Sequence, residues 1–313
     1  MSTYLVTGGC GFIGSHLVDA LVKEEHKVVI LDNLSHGSKE YLPKEAELIV
    51  GDIRDQNLVM DLLSRVDGCY HLASRLGMVI CKTDWLGTHL VNQTGTITLF
   101  DTARKIRETK NKIVPILYAS SCAVYGDSVK LPLCEADYTS PISAYGADKL
   151  GCELHARVAH EVHGIPTIGL RFFNVYGPRQ RPDTVDSGVI SLFLDKIQNK
   201  KPLGIFGDGE QTRDFIHVSD VVDYMIFFMA NMGHSPSIYN VCTGQSITIN
   251  YLVNLLEQML HQPLHKEYLA KRSGDVTHSR GDARRTLKLG LKPQVHLIHG
   301  LQRLLYELGI LHD

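Results

Sequence analysis

The chain has 313 residues, with 32 Lys and Arg against 34 Asp and Glu and a formal charge of −2. That length can bury a large core in one or two domains, and the balanced charge leaves no basic stripe or tail for a nucleic acid. No apolar run approaches the roughly 20 residues a membrane helix needs; the seven cysteines are scattered without a C-x-x-C, which predicts a cytoplasmic protein with free thiols.

The first apolar run, Tyr4-Leu5-Val6, is too short for a signal peptide and reads as a core strand. It leads into Thr7-Gly8-Gly9-Cys10-Gly11-Phe12-Ile13-Gly14 and then a helical pattern from Ser15. Strand, glycine turn and helix in that order suit a dinucleotide pyrophosphate: Gly8, Gly11 and Gly14 permit the tight turn and close approach, and the helix N-terminus offers free N–H groups. Asp32 ends the next apolar run, Val28-Val29-Ile30-Leu31, where its carboxylate can hold an adenosine ribose.

Further along, strands are predicted at 3–7, 27–31, 47–50, 68–73, 113–119 and 166–171, with helices at 14–25, 56–65, 88–109 and 145–163. This alternation predicts an α/β fold, a Rossmann-type doubly wound parallel sheet with ligands at the carboxyl ends of its strands. Beyond residue 175 the pattern loosens, with turns at Gly177-Pro178, Lys201-Pro202 and Gly207-Asp208-Gly209 and helices near 187–199, 219–232, 247–260 and 295–308. The expected division is a dinucleotide-binding domain over 1–175, which also carries the catalytic residues, and a smaller C-terminal α/β lobe over 176–313 that mainly binds substrate, with the cleft between them as the substrate site.

Ser143-Ala144-Tyr145-Gly146-Ala147-Asp148-Lys149 places Tyr145 and Lys149 four residues apart, on one face of a helix. A phenol with pKa about 10 is a poor base at neutral pH, and a neighbouring ammonium stabilises its phenolate. An ordinary exposed Tyr–Lys pair has the same spacing; the glycine turn upstream favours catalysis. Ser120-Ser121 follows the strand at 113–119, which brings a hydroxyl to a carboxyl end, although serines there also cap turns. Sixteen histidines invite a search for metal ligands. Pro263 separates His261 from His265, and His155, His160 and His163 form no H-E-x-x-H. No metal site is predicted.

Together these motifs resemble the extended short-chain dehydrogenases/reductases of the nucleotide-sugar epimerase and dehydratase family. The resemblance runs through Asp32-Asn33-Leu34-Ser35, Gly51-Asp52-Ile53-Arg54-Asp55, His71-Leu72-Ala73-Ser74, Asn92 with Gly95-Thr96, and Ser120-Ser121. It continues through Tyr145/Lys149, Arg171-Phe172-Phe173-Asn174-Val175-Tyr176-Gly177-Pro178 and Arg213-Asp214-Phe215-Ile216-His217. It implies that Phe12 and Ile13 approach the pyrophosphate, that Asp32 and Asn33 hold the adenosine ribose and that Ser35 binds the cofactor. Asp52 and Ile53 would border the adenine, Leu72, Ala73 and Ser74 the path to the nicotinamide, with Asn92 and Phe173 also on the cofactor side. Lys149 would bind the nicotinamide ribose beside Tyr145. Asn33, with no Arg nearby for a 2′-phosphate, favours NAD over NADP.

On the substrate side the resemblance assigns Asn174, Arg213 and Arg272 to the nucleotide diphosphate, Phe206 to the base, Asp275 to the neighbourhood of its ribose and Val189 to substrate binding. The planar fork of arginine suits phosphate, though each arginine could equally sit in a surface ion pair and Phe206 in lobe packing. Ser279 matches a position where a small side chain accompanies acceptance of an N-acetyl group in 4-epimerases; a surface serine is the alternative. The implied reaction is epimerisation of a UDP-hexose or UDP-N-acetylhexosamine at C4 through a transient 4-keto sugar, with Ser121 and Tyr145 moving the proton and NAD regenerated. Where family dehydratases carry an Asp-Glu pair this chain has Cys122-Ala123, against ordinary dehydration; Cys122 reads either as an unusual acid or as a packed thiol.

The segment Arg75-Leu76-Gly77-Met78-Val79-Ile80-Cys81-Lys82 also departs from the epimerase pattern. It keeps open C3 or C5 chemistry through Cys81 or Lys82, or a uronic-acid substrate met by Arg75, itself otherwise a solvated loop cation. A reductase and a non-catalytic dinucleotide sensor are the remaining alternatives. The family's dimerising helices match 88–109 and 145–163, so a homodimer is expected.

Overall fold

The computed structural model describes residues 1–75, 83–182, 187–233, 237–272 and 274–311. Seven parallel strands form one sheet, in spatial order Ser237–Val241, Thr167–Phe172, Ile116–Ser121, Gly68–His71, Thr3–Thr7, Lys27–Asp32 and Glu47–Val50. Helices cover both faces, so central strands are apolar on both sides: Val28, Val29, Ile30 and Leu31 are all buried. One face packs beneath the helices Gln56–Ser64, Gly95–Lys110 and Ala144–Glu161, around Leu62, Leu99, Ile106, Tyr118 and Ala156. The other packs beneath Phe12–Lys23 and Val218–Ala230, around Leu17, Leu21, Val221 and Met225.

The strand order reverses between Thr3–Thr7 and Gly68–His71, and in an open α/β sheet a ligand crevice opens at such a reversal. The turns leaving these two strands touch there: a Cβ on Gly8 would stand 2.7 Å from the amide nitrogen of Ala73, and Gly8 adopts φ +72°. Glycine meets both demands at once.

Three elements differ from the expectations above. The strand predicted at 113–119 runs over Ile116–Ser121, because Pro115 has no N–H for the ladder; Ser120 and Ser121 therefore lie on the strand's last two positions. The helix expected over 88–109 is Trp85–His89, a π-type turn at Leu90–Thr94 and Gly95–Lys110. The seventh sheet strand, Ser237–Val241, comes from beyond residue 175 and pairs Asn240 with Arg171.

The remaining chain builds a second core, around Phe193, Leu203, Phe215, Leu252 and Leu301. It includes the helices Val189–Gln198, Ile249–Leu260 and Leu297–Glu307 and three two-stranded ladders. Asp214 ties this part to the sheet: its fully buried carboxylate accepts the amides of Thr243, Gly244 and Gly281 at 2.9, 3.0 and 3.2 Å and the Thr243 hydroxyl at 2.6 Å. No helix among the described residues is long and apolar enough to cross a membrane.

Candidate active site

A cleft of about 760 Å³ opens at the reversal point. Its floor is the glycine turn. Gly11 N donates to Gly8 O at 3.1 Å, and a Cβ on Gly14 would lie 2.2 Å from that same oxygen, so the helix Phe12–Lys23 can start this close to the turn only with glycine there. Its first turn carries no acidic residue, which leaves the positive helix end unopposed for phosphate. Asp32 is held rigidly at the cleft wall by the amides of Cys10 (2.9 Å) and Leu34 (2.8 Å). Each carboxylate oxygen keeps a second acceptor site for a ribose hydroxyl. Burial and the Asp32 charge push the neighbouring Cys10 thiol up to about 12.

Gly8, Gly11, Phe12, Ile13, Gly14, Asp32, Asn33, Ser35, Asp52, Ile53, Leu72, Ala73, Ser74, Phe173, Ser121, Tyr145 and Lys149 all line this one cleft. The set fits a dinucleotide with a catalytic group at one end. Asn92 lies beneath the wall instead, almost fully buried. Its Oδ1 accepts the Ser74 hydroxyl at 3.0 Å and the Arg75 amide at 2.7 Å, and its Nδ2 donates to Arg75 O at 3.0 Å. It braces the wall rather than forming it. Arg179, Gln180 and Arg181 close the cleft from the far side, without having been singled out in the sequence; Arg179 pairs with Asp19 at 2.7 Å and stands over Tyr41. The polar run after the Gly177-Pro178 turn was the available signal.

Ser143 caps the helix Ala144–Glu161 by accepting Gly146 N at 3.0 Å, which sets the first turn that carries Tyr145. Lys149 follows one turn later, its Nζ 5.6 Å from the centroid of the Tyr145 ring and donating to Ala119 O at 3.0 Å. Lys149 is 4% exposed, and burial lowers its pKa. Ser121, at the end of the adjacent strand, accepts Ala123 N at 3.1 Å. Behind them His71 bridges Thr7 Oγ1 (2.7 Å) and Thr96 Oγ1 (2.9 Å). Burial, with the Lys149 charge adding, drops His71 to about 3, so its ring is neutral and structural at pH 7.

The predicted substrate residues lie outside the cleft lining just described, and four of them, Phe206, Arg213, Arg272 and Asp275, contact one another. The Arg272 guanidinium stacks on the Phe206 ring at 3.7 Å, and Arg213 pairs with Asp275 at 2.7 Å while donating to Thr212 O at 2.9 Å. The backbone joins these pairs through Asp275 N to Arg272 O, 3.3 Å. Asn174 N donates to Asp214 O, and its Oδ1 is buried without a hydrogen-bond partner. Val189 opens the helix Val189–Gln198, next to the cleft-lining Gly188. Ser279 is not a surface serine: it is 4% exposed, and its side chain hydrogen-bonds Cys122, which also meets Ser121. Burial pushes the Cys122 thiol up to about 11. At neutral pH it is a partly buried, protonated thiol. The readings placed on Gly77, Met78, Cys81 and Lys82 lie outside the described residues.

Comparison with known proteins gives the same direction. The family model of the NAD-dependent epimerase/dehydratase family matches residues 4–242. Over 307 residues the chain is 33% identical to the UDP-glucose 4-epimerase of Mycolicibacterium smegmatis, covering 96% of each. Among solved structures, the UDP-glucose 4-epimerase of Thermotoga maritima with UDP-glucose matches with TM-score 0.89 at 32% identity, over 96% of both chains. The UDP-N-acetylglucosamine 4-epimerase of Methanobrevibacter ruminantium in complex with UDP-N-acetylmuramic acid matches with TM-score 0.89 at 33% identity, over 98% of this chain and 99% of that one. A match of this length, on a chain that already gathers a glycine turn, a ribose-type aspartate and a Tyr–Lys pair around one cleft, shows that the protein belongs to the NAD-dependent epimerase/dehydratase family.

Proposed function

We propose that the protein inverts C4 of a UDP-sugar through a transient 4-keto sugar, using NAD that is regenerated in each turnover. The observation that carries this reading is that Ser121, Tyr145 and Lys149 line one cleft together with the glycine turn and Asp32. When bound, NAD supplies a reversible two-electron oxidant for the sugar carbon. The glycine turn and Asp32 would hold it, with Asn33, Ser35, Asp52 and Ile53 toward the adenosine and Leu72, Ala73, Ser74 and Phe173 toward the ring.

Tyr145 takes the proton of the sugar 4-hydroxyl. The Lys149 ammonium, fixed by Ala119 O at 3.0 Å, stabilises the phenolate from the same helix face. Ser121 hydrogen-bonds the reacting oxygen and passes the proton. No carboxylate stands at Cys122 or Ala123 to eliminate water. Asn174, Val189, Phe206, Arg213, Arg272 and Asp275 hold the nucleotide while the sugar turns. Small, buried Ser279 leaves room for an N-acetyl group, so the substrate class is UDP-hexoses and UDP-N-acetylhexosamines.

On this reading residues 1–175 bind the dinucleotide and residues 176–313 mainly bind the nucleotide sugar. The protein works in the cytoplasm as a homodimer through the helices Gly95–Lys110 and Ala144–Glu161, the second of which exposes Leu154 and Val158. The test is incubation with NAD and separate UDP-galactose and UDP-N-acetylgalactosamine, with products read by NMR. The 4-epimers are expected, with no net NADH. Tyr145→Phe should retain NAD and lose turnover by roughly 100-fold or more. Loss of water, inversion at another carbon, or a fully active Tyr145→Phe would refute the reading.

A further inference from the structure

The cleft wall beyond Ser74 carries an ion pair with no part in the chemistry above. Arg75 stands just past the strand Gly68–His71, its backbone clamped by Asn92 on both its N–H and its C=O. Its Nη1 donates to Asp84 Oδ2 at 2.5 Å. Both side chains line the same cleft as Ser121 and Tyr145, and both remain open to it, with side-chain exposures of 29% and 50%. Asp84 is fixed in turn. Its Oδ1 accepts Gly87 N at 3.0 Å and caps the helix Trp85–His89. That helix is tied to the Tyr145 helix by His89 and Asp148, 2.9 Å apart. The pair thus lines the cleft between the end of the Gly68–His71 strand and a helix bonded to the Tyr145 helix.

An unpaired arginine at this place would favour a sugar that carries a carboxylate. Here that charge is already met, and an incoming carboxylate would face Asp84 at close range, where like charges repel. We propose that Asp84 is a specificity-determining residue: by pairing with Arg75 it reserves the sugar end of the cleft for uncharged sugars and turns away nucleotide-linked uronic acids. This rests on the reading of the protein as a UDP-sugar epimerase. Uncharged sugars lose nothing by the pairing, since their hydroxyls can donate to the outer lone pairs of Asp84 and accept from the remaining N–H groups of Arg75.

The experiment compares the wild type, Asp84→Asn and the double variant Asp84→Asn/Arg75→Met, each with NAD, on UDP-glucose and UDP-glucuronic acid. Asparagine is as good a helix cap as aspartate, so Asp84→Asn removes the charge and keeps the fold, which far-UV circular dichroism checks. The wild type is expected to favour UDP-glucose. Asp84→Asn should raise the uronate-to-glucose ratio of kcat/KM by about tenfold or more, and the double variant should lose that gain. An unchanged ratio in a folded Asp84→Asn, a gain that survives removal of Arg75, or a wild type that prefers the uronate would overturn the proposal while leaving the epimerase reading intact. A wild type that binds NAD and turns over neither sugar would overturn both.

Discussion

The buried pair Arg171–Glu153 should be the most costly single charge contact to break. Arg171 lies on the strand Thr167–Phe172 and Glu153 on the Tyr145 helix, 3% and 5% exposed. They meet in a fork: Nε to Oε1 at 2.8 Å and Nη2 to Oε2 at 2.7 Å. Ser120, next to Ser121, donates to the same Oε1, and the Arg171 guanidinium stands over the Tyr125 ring at 4.6 Å. Arg171→Met leaves the Glu153 carboxylate buried with only the Ser120 hydroxyl, a cost of about 3–5 kcal/mol. Replacing both partners, as Glu153→Leu/Arg171→Met, removes the uncompensated charge. What remains is the loss of two bonds outside the pair, Ser120 to Glu153 and Arg171 Nη1 to Glu135 O at 3.3 Å, together about 1–3 kcal/mol. Urea unfolding followed by circular dichroism reads both values. A single variant that costs under about 1 kcal/mol, or a double variant that costs as much as the single, would show that the pair does not act as a neutralised unit.

Two further predictions concern the cofactor end. His71 is depressed from 6.5 to about 3 by burial. Its neutral ring therefore contributes stability fully above about pH 6.5, and that stability is lost as pH falls toward 3, because only the unfolded chain takes up the proton. The wild type should lose about 1.4 kcal/mol per pH unit more than His71→Gln across that window; parallel pH profiles would refute this, and His217, lowered to about 4, cancels in the difference. Gly14→Ala drives a methyl to 2.2 Å from Gly8 O and should weaken NAD binding by about tenfold or more, or about 1.4 kcal/mol, as read by calorimetric titration; an unchanged affinity would mean the turn yields freely.

The sequence makes legible what is encoded locally. A parallel strand buried on both faces reads as an unbroken apolar run, and Val28–Leu31 does so. The 3.6-residue period alone puts Tyr145 and Lys149 on one face. What escaped depends on partners far along the chain. Ser237–Val241 becomes a sheet strand because Thr167–Phe172 offers it a free edge. Its fourth residue, Asn240, breaks an apolar reading, yet that side chain is fully buried, accepting the Tyr125 hydroxyl at 2.7 Å and donating to Leu133 O at 2.8 Å. The π turn at Leu90–Thr94 likewise hides inside a continuous helical pattern; it presents Asn92 O to the distant Cys152 thiol at 3.3 Å. Neither contact has a signature within its own window of sequence.

The same contrast separates the two ends of the site. The dinucleotide end is made of backbone: glycines that set a turn, amides that fix Asp32 from Cys10 and Leu34, and a helix start. On the proposed reading a dinucleotide would meet the glycine turn and Asp32 with little rearrangement, because both are fixed by backbone contacts that a ligand leaves in place. The proposed nucleotide-sugar end is made of side chains that satisfy one another, Arg272 on Phe206 and Arg213 on Asp275. A base can stack on Phe206 only if Arg272 leaves it, and a diphosphate can draw Arg213 only in competition with Asp275. Each exchange returns less net binding than a fresh contact would. That difference suits the proposed chemistry, because a cofactor recovered in each turnover gains from being held throughout, whereas a keto sugar that must show both faces to it gains from a grip that can be exchanged.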